Sequence, residues 1–511
     1  MRLLAARLIL LLATLPLALP LEVLAAPGSF SELPDIGTPA DSILTPADEY
    51  QLGGMVIKEL RDAGQIMEDP EISEYVQGIG DRLVGHTAES SAARRFHFYV
   101  IKEADINAFA LPGGYVCINL GLILATKSES ELAGVMAHEI SHVTQRHTVR
   151  QIQAAQRGSL LATAAMLAAI LAGAAAHDSN VGLAGVMASQ SASIQAQLNY
   201  SRESEYEADR IGIGVMAASG FEPAGMAAFF ETMGRRTGAA GPNAKIIEFL
   251  QTHPVTSARV AEAKARAAAY PVVRPVDSVS YSLTRERLRV FSVPVGQSAE
   301  AYYGDVAALG DVAPDYRRYG HALALMQDRQ WAAAVPELRE LVQQHADVID
   351  YHTALGQALL GAGDTAGSQA VLQRAMELFA RNVPVTVRYA ETLMQAGNPK
   401  LAHAVLLDLF NVINPTQPQI RLIALAANAA GETAEAYYYT AESYVQNGDL
   451  LLAINTLRIA LSTPDITPIQ RSRFKARIDE LKEYLPARAQ AAIERGDPIP
   501  EPRQPPTQGR R

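Results

Sequence analysis

Three residues of this 511-residue chain, His138, Glu139 and His142 in "MAHEISHVTQRH" (136–147), have the types and spacing of a metal-dependent hydrolytic centre. On a helix, two imidazoles four positions apart lie about 40° from each other around the axis and one turn apart, so both can bind one ion. Glu139 falls at the edge of the same face. There its carboxylate can take a proton from water activated by that ion without becoming a ligand. With eleven His and at most 54 acidic residues, random order gives this H-E-x-x-H pattern about 0.02 times per chain, a small figure that is not decisive by itself, since many proteins carry the pattern without using it. His147 is five residues past His142, about 140° round a continuous helix, and is expected to point away from the pair.

The motif needs an element to carry it. Apolar residues at 132, 135, 136, 140 and 143 have helical spacing and predict a helix over 129–150. A further ligand must come from elsewhere, and the best source is "YSRESEYEADRIGI" (200–213). Glu205 and Asp209, four apart, share a helix face, while Glu203 and Glu207 face other ways. The pair can supply one carboxylate ligand and one acceptor for the other ring nitrogen of a ligand histidine. The structural alternative is an ordinary acidic helix start with Arg202 and Arg210 nearby.

Around these helices, "RFHFYVIK" (95–102) and "NAFALPGGYVCINLGLI" (107–123) predict strands, with Pro112-Gly113-Gly114 as the turn of a hairpin. Cys117 is the only cysteine, so no intramolecular disulfide forms and a buried, inert thiol is expected. The length and the 49% hydrophobic content suffice for two or three domains with their own cores. A net charge of -10 without a long basic run argues against nucleic acid as a partner.

The start of the chain has Arg2 and Arg7, an apolar run over 8–19 and the small pair Ala25-Ala26, the pattern of a secretory signal cleaved after Ala25. An uncleaved anchor is the alternative. Residues 26–48 read as an extended lead-in. The uncharged run "SLLATAAMLAAILAGAAA" (159–176) touches the lower bound for a membrane span, but half of it is alanine. A lid, or a hairpin making peripheral membrane contact, is expected there.

The carboxyl half repeats. "ALGQALLGAGDTAGSQAVLQRAMEL" (354–378) aligns with "RYAETLMQAGNPKLAHAVLLDLFNV" (388–412); Gly363, Gly397 and Gly431 recur every 34 residues, as do Ala334, Ser368, Ala402 and Ala436. That period and the small-residue positions predict an α-solenoid of four tetratricopeptide-like helix pairs, the first weak. The next glycine, Gly448, follows after only 17 residues, as if two units shared a helix. The Pro-rich end, 487–511, reads as a disordered tail.

H-E-x-x-H followed far downstream by E-x-x-A-D (205–209), with "NAFALPGGYV" before it and "THP" (252–254) after it, resembles the zinc metallopeptidases typified by HtpX and the CAAX prenyl protease. The resemblance implies a mainly α fold. A zincin-type peptidase of helices with a small β-sheet (49–270) is followed by a linker with some irregular strand (271–311) and the repeats (312–486). It implies one zinc per subunit held by His138, His142 and Glu205, with Glu139 as general base and Asp209 supporting a ligand. Zinc acidifies water and polarises the peptide carbonyl, and Glu139 passes the proton to the leaving amine. It also singles out His253, which in relatives either closes over the metal as a fourth ligand or helps stabilise the oxyanion; a structural, helix-capping role is the remaining option. In such enzymes an edge strand aligns the substrate, and "GGYVCIN" (113–119) is the candidate. The order of signal, peptidase and repeats resembles the periplasmic branch of the family. It implies misassembled outer-membrane proteins as substrates, a chaperone-like role in outer-membrane protein assembly, and the β-barrel assembly machinery as a partner held by the repeats. The alternatives are a repeat-based chaperone or adaptor with a latent metal site, and a membrane-integral metalloprotease.

Overall fold

The computed structural model describes residues 44–87, 96–155, 202–239, 248–272, 275–294, 296–308, 312–464, 466–485, 490 and 493. The expected signal peptide, the uncharged run 159–176 and nearly all of the tail lie outside them.

The chain is mainly helical. Helices α1 (Pro46–Asp62) and α2 (Pro70–Val84) precede strands β1 (His97–Ile101), β2 (Ala108–Leu111) and β3 (Tyr115–Asn119). Both helices begin where the sequence supplies a proline and an oxygen cap: the side chains of Thr45 and Asp69 accept from the backbones of Asp48 and Ile72. Then come α3 (Leu120–Ala125), α4 (Glu129–Thr144), α5 (His147–Ala155), α6 (Arg202–Ala218), α7 (Ala224–Ala239), α8 (Glu248–Thr252), α9 (Ser257–Ala267) and α10 (Val279–Phe291).

The expected hairpin forms between β2 and β3, but the sheet order is β1-β3-β2 with β1 parallel to β3. The candidate substrate edge, 113–119, is therefore the central strand, with its backbone paired on both sides. Residues 65–67 partly cover the outer side of β1, through Met67 N–H to the Val100 carbonyl and Lys102 N–H to the Gln65 carbonyl. The outer side of β2 is the open edge among the described strands.

Helix α4 is buried without interruption from Ser130 to Thr144, so the histidine motif sits in the middle of the core of the amino-terminal half. Leu132, Met136 and Ile140 pack there with Val116 and Ile118 of the sheet and Met216, Met226 and Phe229 of α6 and α7. Close approach is achieved with glycine: a Cβ on Gly212 would lie 3.2 Å from the His138 nitrogen, and one on Gly134 would lie 2.9 Å from the Cα of Met226. Any larger residue would push the helices that carry the acidic and histidine residues apart.

The expected linker turns out to be helical over most of its described length. Besides α10 it contains Ala299–Ala308, and α10 docks between the amino-terminal half and the repeats. Arg287 of α10 donates to Asp69 (2.8 and 2.9 Å), Glu71 (3.0 Å) and the Tyr319 hydroxyl (2.8 Å). Arg388 of the repeats donates to Glu71 (3.0 and 2.7 Å) and Asp69 (3.2 Å). Two buried carboxylates at the start of α2 are thus neutralised by two guanidinium groups, which fasten the halves together.

The repeat helices include the pairs Pro314–Gln327 with Trp331–Gln344, Ile349–Gly361 with Thr365–Leu378, and Val383–Gln395 with Pro399–Phe410. Gln417–Ala429, Thr433–Gln446, Leu450–Leu461 and Pro468–Glu483 follow, each packed on the next. The turn glycines 363, 397, 431 and 448 have φ of +75° to +85°, the left-handed region that side chains avoid. Ala334, Ser368, Ala402 and Ala436 are all fully buried, where small side chains let the helices approach. Cys117 is buried as expected. Among the described residues no helix is long and apolar enough to cross a membrane.

Candidate active site

Helix α4 presents His138 and His142 on one face, and α6 crosses it so that Glu205 and Asp209 reach the same point. His138 Nε2 lies 3.0 Å from His142 Nε2 and 3.6 Å from Glu205 Oε2, and His142 Nε2 is 3.5 Å from Glu205 Oε1. His253, just after α8, closes the group: its Nδ1 is 3.3 Å from His138 Nε2 and 3.0 Å from Glu205 Oε1. All four residues are at most 2% exposed.

Five of the six separations among these residues' donor atoms are 3.0 to 3.6 Å, and all four donors lie within 4.8 Å of one another, close to the edge lengths of a tetrahedral site. Metal–ligand bonds of 2.0–2.2 Å give edges of about 3.3 Å. If both rings carry their proton at Nδ1, the two Nε2 lone pairs face each other across 3.0 Å, an arrangement that a shared cation relieves. The residues fit a divalent ion of that size.

Asp209 Oδ1 is 2.9 Å from His138 Nδ1, and a carboxylate at that distance favours the ring proton at Nδ1, the tautomer whose Nε2 is free to bind metal. The structure thus brings Glu205 beside both imidazoles and Asp209 beside the far nitrogen of His138. Glu139 is fully buried beside the pocket, its Oε1 3.5 Å from His253 Nε2. Burial raises its pKa, against the opposing pull of His253 and His138, which suits a group that must hold a proton transiently. Burial also keeps the His142 ring neutral by pushing its pKa well below the usual value. For Glu205, burial acts upward but is outweighed by His253, His142 and His138, so the carboxylate stays ionised.

Two contributions were missed in the sequence. Arg259 Nη1 donates to Glu205 (2.6 Å), its Nε and Nη2 donate to both Asp209 oxygens (2.8 Å each), and Nη1 also meets the Pro254 carbonyl (2.9 Å). One guanidinium therefore neutralises the two acidic residues and ties down the loop bearing His253. It lies six residues past His253, at the end of the "QTHPVTSAR" stretch, and only its place on α9, capped by Thr256, gives it that reach.

The second is His147, which does not point away. Helix α4 ends at Thr144, and Arg146 adopts φ +52°, turning the chain so that α5 starts at His147. A left-handed non-glycine costs about 1–2 kcal/mol. Arg146 offsets it by pairing with buried Glu49 (2.5 Å) and donating to the Leu44 carbonyl (2.8 Å). His147 Nδ1 then lies 2.8 Å from His142 Nδ1, and its Nε2 lies 3.1 Å from Glu207, another residue expected to face elsewhere.

A buried H-E-x-x-H helix facing an acidic helix, beside a small sheet with one open edge, defines a metallopeptidase. Residues 70–267 match peptidase family M48, and residues 359–428 match a tetratricopeptide repeat family. The β-barrel assembly-enhancing protease of Escherichia coli (strain K12) is 31% identical over 89% of this chain and 92% of its own length. The protein of that name from Yersinia pestis is 31% identical over 88% and 91%. A mitochondrial metalloendopeptidase of Schizosaccharomyces pombe is 30% identical over 36% of this chain and half of its own. The chain belongs to peptidase family M48, and these two bacterial relatives match it over 88–89% of its length.

Proposed function

We propose that the chain is a periplasmic zinc endopeptidase that acts in outer-membrane protein assembly and degrades misassembled outer-membrane proteins. The observation that carries the zinc reading is the convergence of His138, His142, Glu205 and His253, whose donor atoms all lie within 4.8 Å of one another. Two imidazoles and one carboxylate are a common catalytic zinc set, which leaves a fourth corner for water or substrate. When bound, zinc supplies the Lewis acidity that acidifies water and polarises the scissile carbonyl.

The protein's own groups do the rest. Glu139 accepts the proton at its carboxylate and returns it to the leaving amine. The open side of β2, close to Glu139, replaces the central strand as the edge that aligns an extended substrate. His253 occupies the fourth corner through Nδ1 and crowds Glu139 through Nε2, so this arrangement is a latent one, in which His253 must swing out before substrate enters. The distances favour that role over oxyanion stabilisation, since both ring nitrogens are already engaged inside the pocket.

Location, substrates and the β-barrel assembly machinery as partner of the repeats are supported by the secretory pattern of residues 1–25 and by the names of the full-length relatives. The test is casein cleavage with zinc content. Glu139→Gln should keep its zinc and lose cleavage, and His253→Ala should cleave faster than wild type. Cleavage by Glu139→Gln at the wild-type rate would refute the catalytic assignment, and a loss of cleavage in His253→Ala would refute latency.

A further inference from the structure

The two histidines proposed as ligands are supported differently. His138 meets a carboxylate directly, through Asp209. His142 Nδ1 meets a second imidazole, that of His147, whose far nitrogen meets Glu207. Two facing Nδ1 atoms 2.8 Å apart can share only one proton, and the proton's position decides whether His142 can bind metal.

If the proton sat on His147 Nδ1, neutral His142 would accept it and carry its own proton on Nε2, the atom that faces His138 and Glu205. That tautomer cannot be a ligand. Glu207 selects against it. A carboxylate 3.1 Å from His147 Nε2 requires a proton on that nitrogen, and a neutral imidazole protonated at Nε2 has none at Nδ1. With His147 neutral, its Nδ1 accepts, His142 donates from Nδ1, and His142 Nε2 is left with its lone pair toward the metal pocket.

We infer that His147 is a positioning residue which, oriented by Glu207, fixes His142 in its metal-binding tautomer. Helix α6 thereby serves the centre three times, through Glu205 at the pocket, Asp209 behind His138 and Glu207 behind His142 by way of His147. Arg150 Nη2, 3.4 Å from Glu207, holds the outer carboxylate in place. The left-handed turn at Arg146 is what makes this possible, since a helix continuing through 147 would carry the ring away.

The inference rests on the zinc reading above, and its test separates the two. Metal-free full-length protein is titrated with Zn2+ against a competing chelator, and the Co2+ form is followed by its visible absorption. Losing a support of this kind weakens metal binding about 10–100-fold. His147→Leu, close in volume but without an acceptor, should fall in that range and shift the Co2+ spectrum. His147→Asn, whose Oδ1 stands where Nδ1 stood, should stay within about threefold of wild type. Should His147→Leu fail to fold, the more exposed Glu207→Ala serves in its place, with weakened binding expected and Glu207→Gln binding more tightly than Glu207→Ala. Zinc binding by His147→Leu equal to wild type, or by His147→Asn as weak as by His147→Leu, overturns the inference alone. Failure of wild type to bind zinc overturns both readings.

Discussion

Replacing Arg388 by Met removes one of the two cations that neutralise Asp69 and Glu71 at the junction of peptidase and repeats. Burial by itself would raise the pKa of Glu71, but Arg287 and Arg388 hold it well below the usual carboxylate range. Breaking a buried pair by removing one partner costs about 3–5 kcal/mol, because the remaining charge is left uncompensated. Arg287 stays in contact with both carboxylates, so the low end, about 3 kcal/mol, applies here. At about 2–4 °C per kcal/mol for domains of 150–250 residues, Tm should drop by about 6–12 °C. The assay is thermal unfolding followed by circular dichroism at pH 7.5. The double variant Glu71→Gln/Arg388→Met restores charge balance and should lose less than Arg388→Met alone. Glu71's contribution is present above the ordinary glutamate range and lost as pH falls through its depressed folded value. The gap between wild type and Arg388→Met should therefore narrow in acid. A change in Arg388→Met of under about 0.5 kcal/mol, or a double variant no better than the single, would refute the claim that this cluster fastens the two halves.

Other perturbations follow from the same geometry. Gly212→Ala puts a methyl against the backbone of Ala137 and His138, so it should cost about 1–3 kcal/mol and weaken zinc binding together; an unchanged Tm and affinity would show that α4 and α6 have slack. Arg259→Gln leaves Glu205 and Asp209 buried without their guanidinium, so metal-free protein should lose several kcal/mol while the zinc-loaded form loses less; equal losses would argue against charge compensation. Asp350, beside the junction, has its carboxyl raised to about 7 by burial. The neutral form is favoured in the fold, so its stabilisation is full below the ordinary aspartate range near 4 and is lost as pH rises to about 7. Asp350→Asn should accordingly raise Tm more at pH 8 than at pH 5, which thermal unfolding at both values reads directly.

The reach of the sequence depended on how local each feature was. His138, Glu139 and His142 were legible because helical geometry alone determines their relation, and Glu205 with Asp209 because four residues on a helix define a face. The repeats were legible because glycines at positive φ and small packing residues recur at a constant step. His147 was misjudged since its placement depends on a helix ending in a left-handed arginine, and no glycine announces that turn. Arg259 had no local signal; it acts across about fifty residues of sequence. The central position of β3 follows from its parallel pairing with β1, a non-local contact that the hairpin pattern does not encode. Residues 271–311 looked like a linker because of their prolines, yet α10 carries Arg287 and forms the joint between the halves.

The most direct measurement is X-ray absorption at the zinc edge on the purified, metal-loaded protein, wild type beside His253→Ala. The account predicts one zinc per chain in wild type, surrounded by three imidazoles and one carboxylate oxygen at about 2.0–2.2 Å, with one imidazole lost in His253→Ala. A wild-type zinc with only two imidazoles, or a coordination shell that the His253 substitution leaves unaltered, would contradict it.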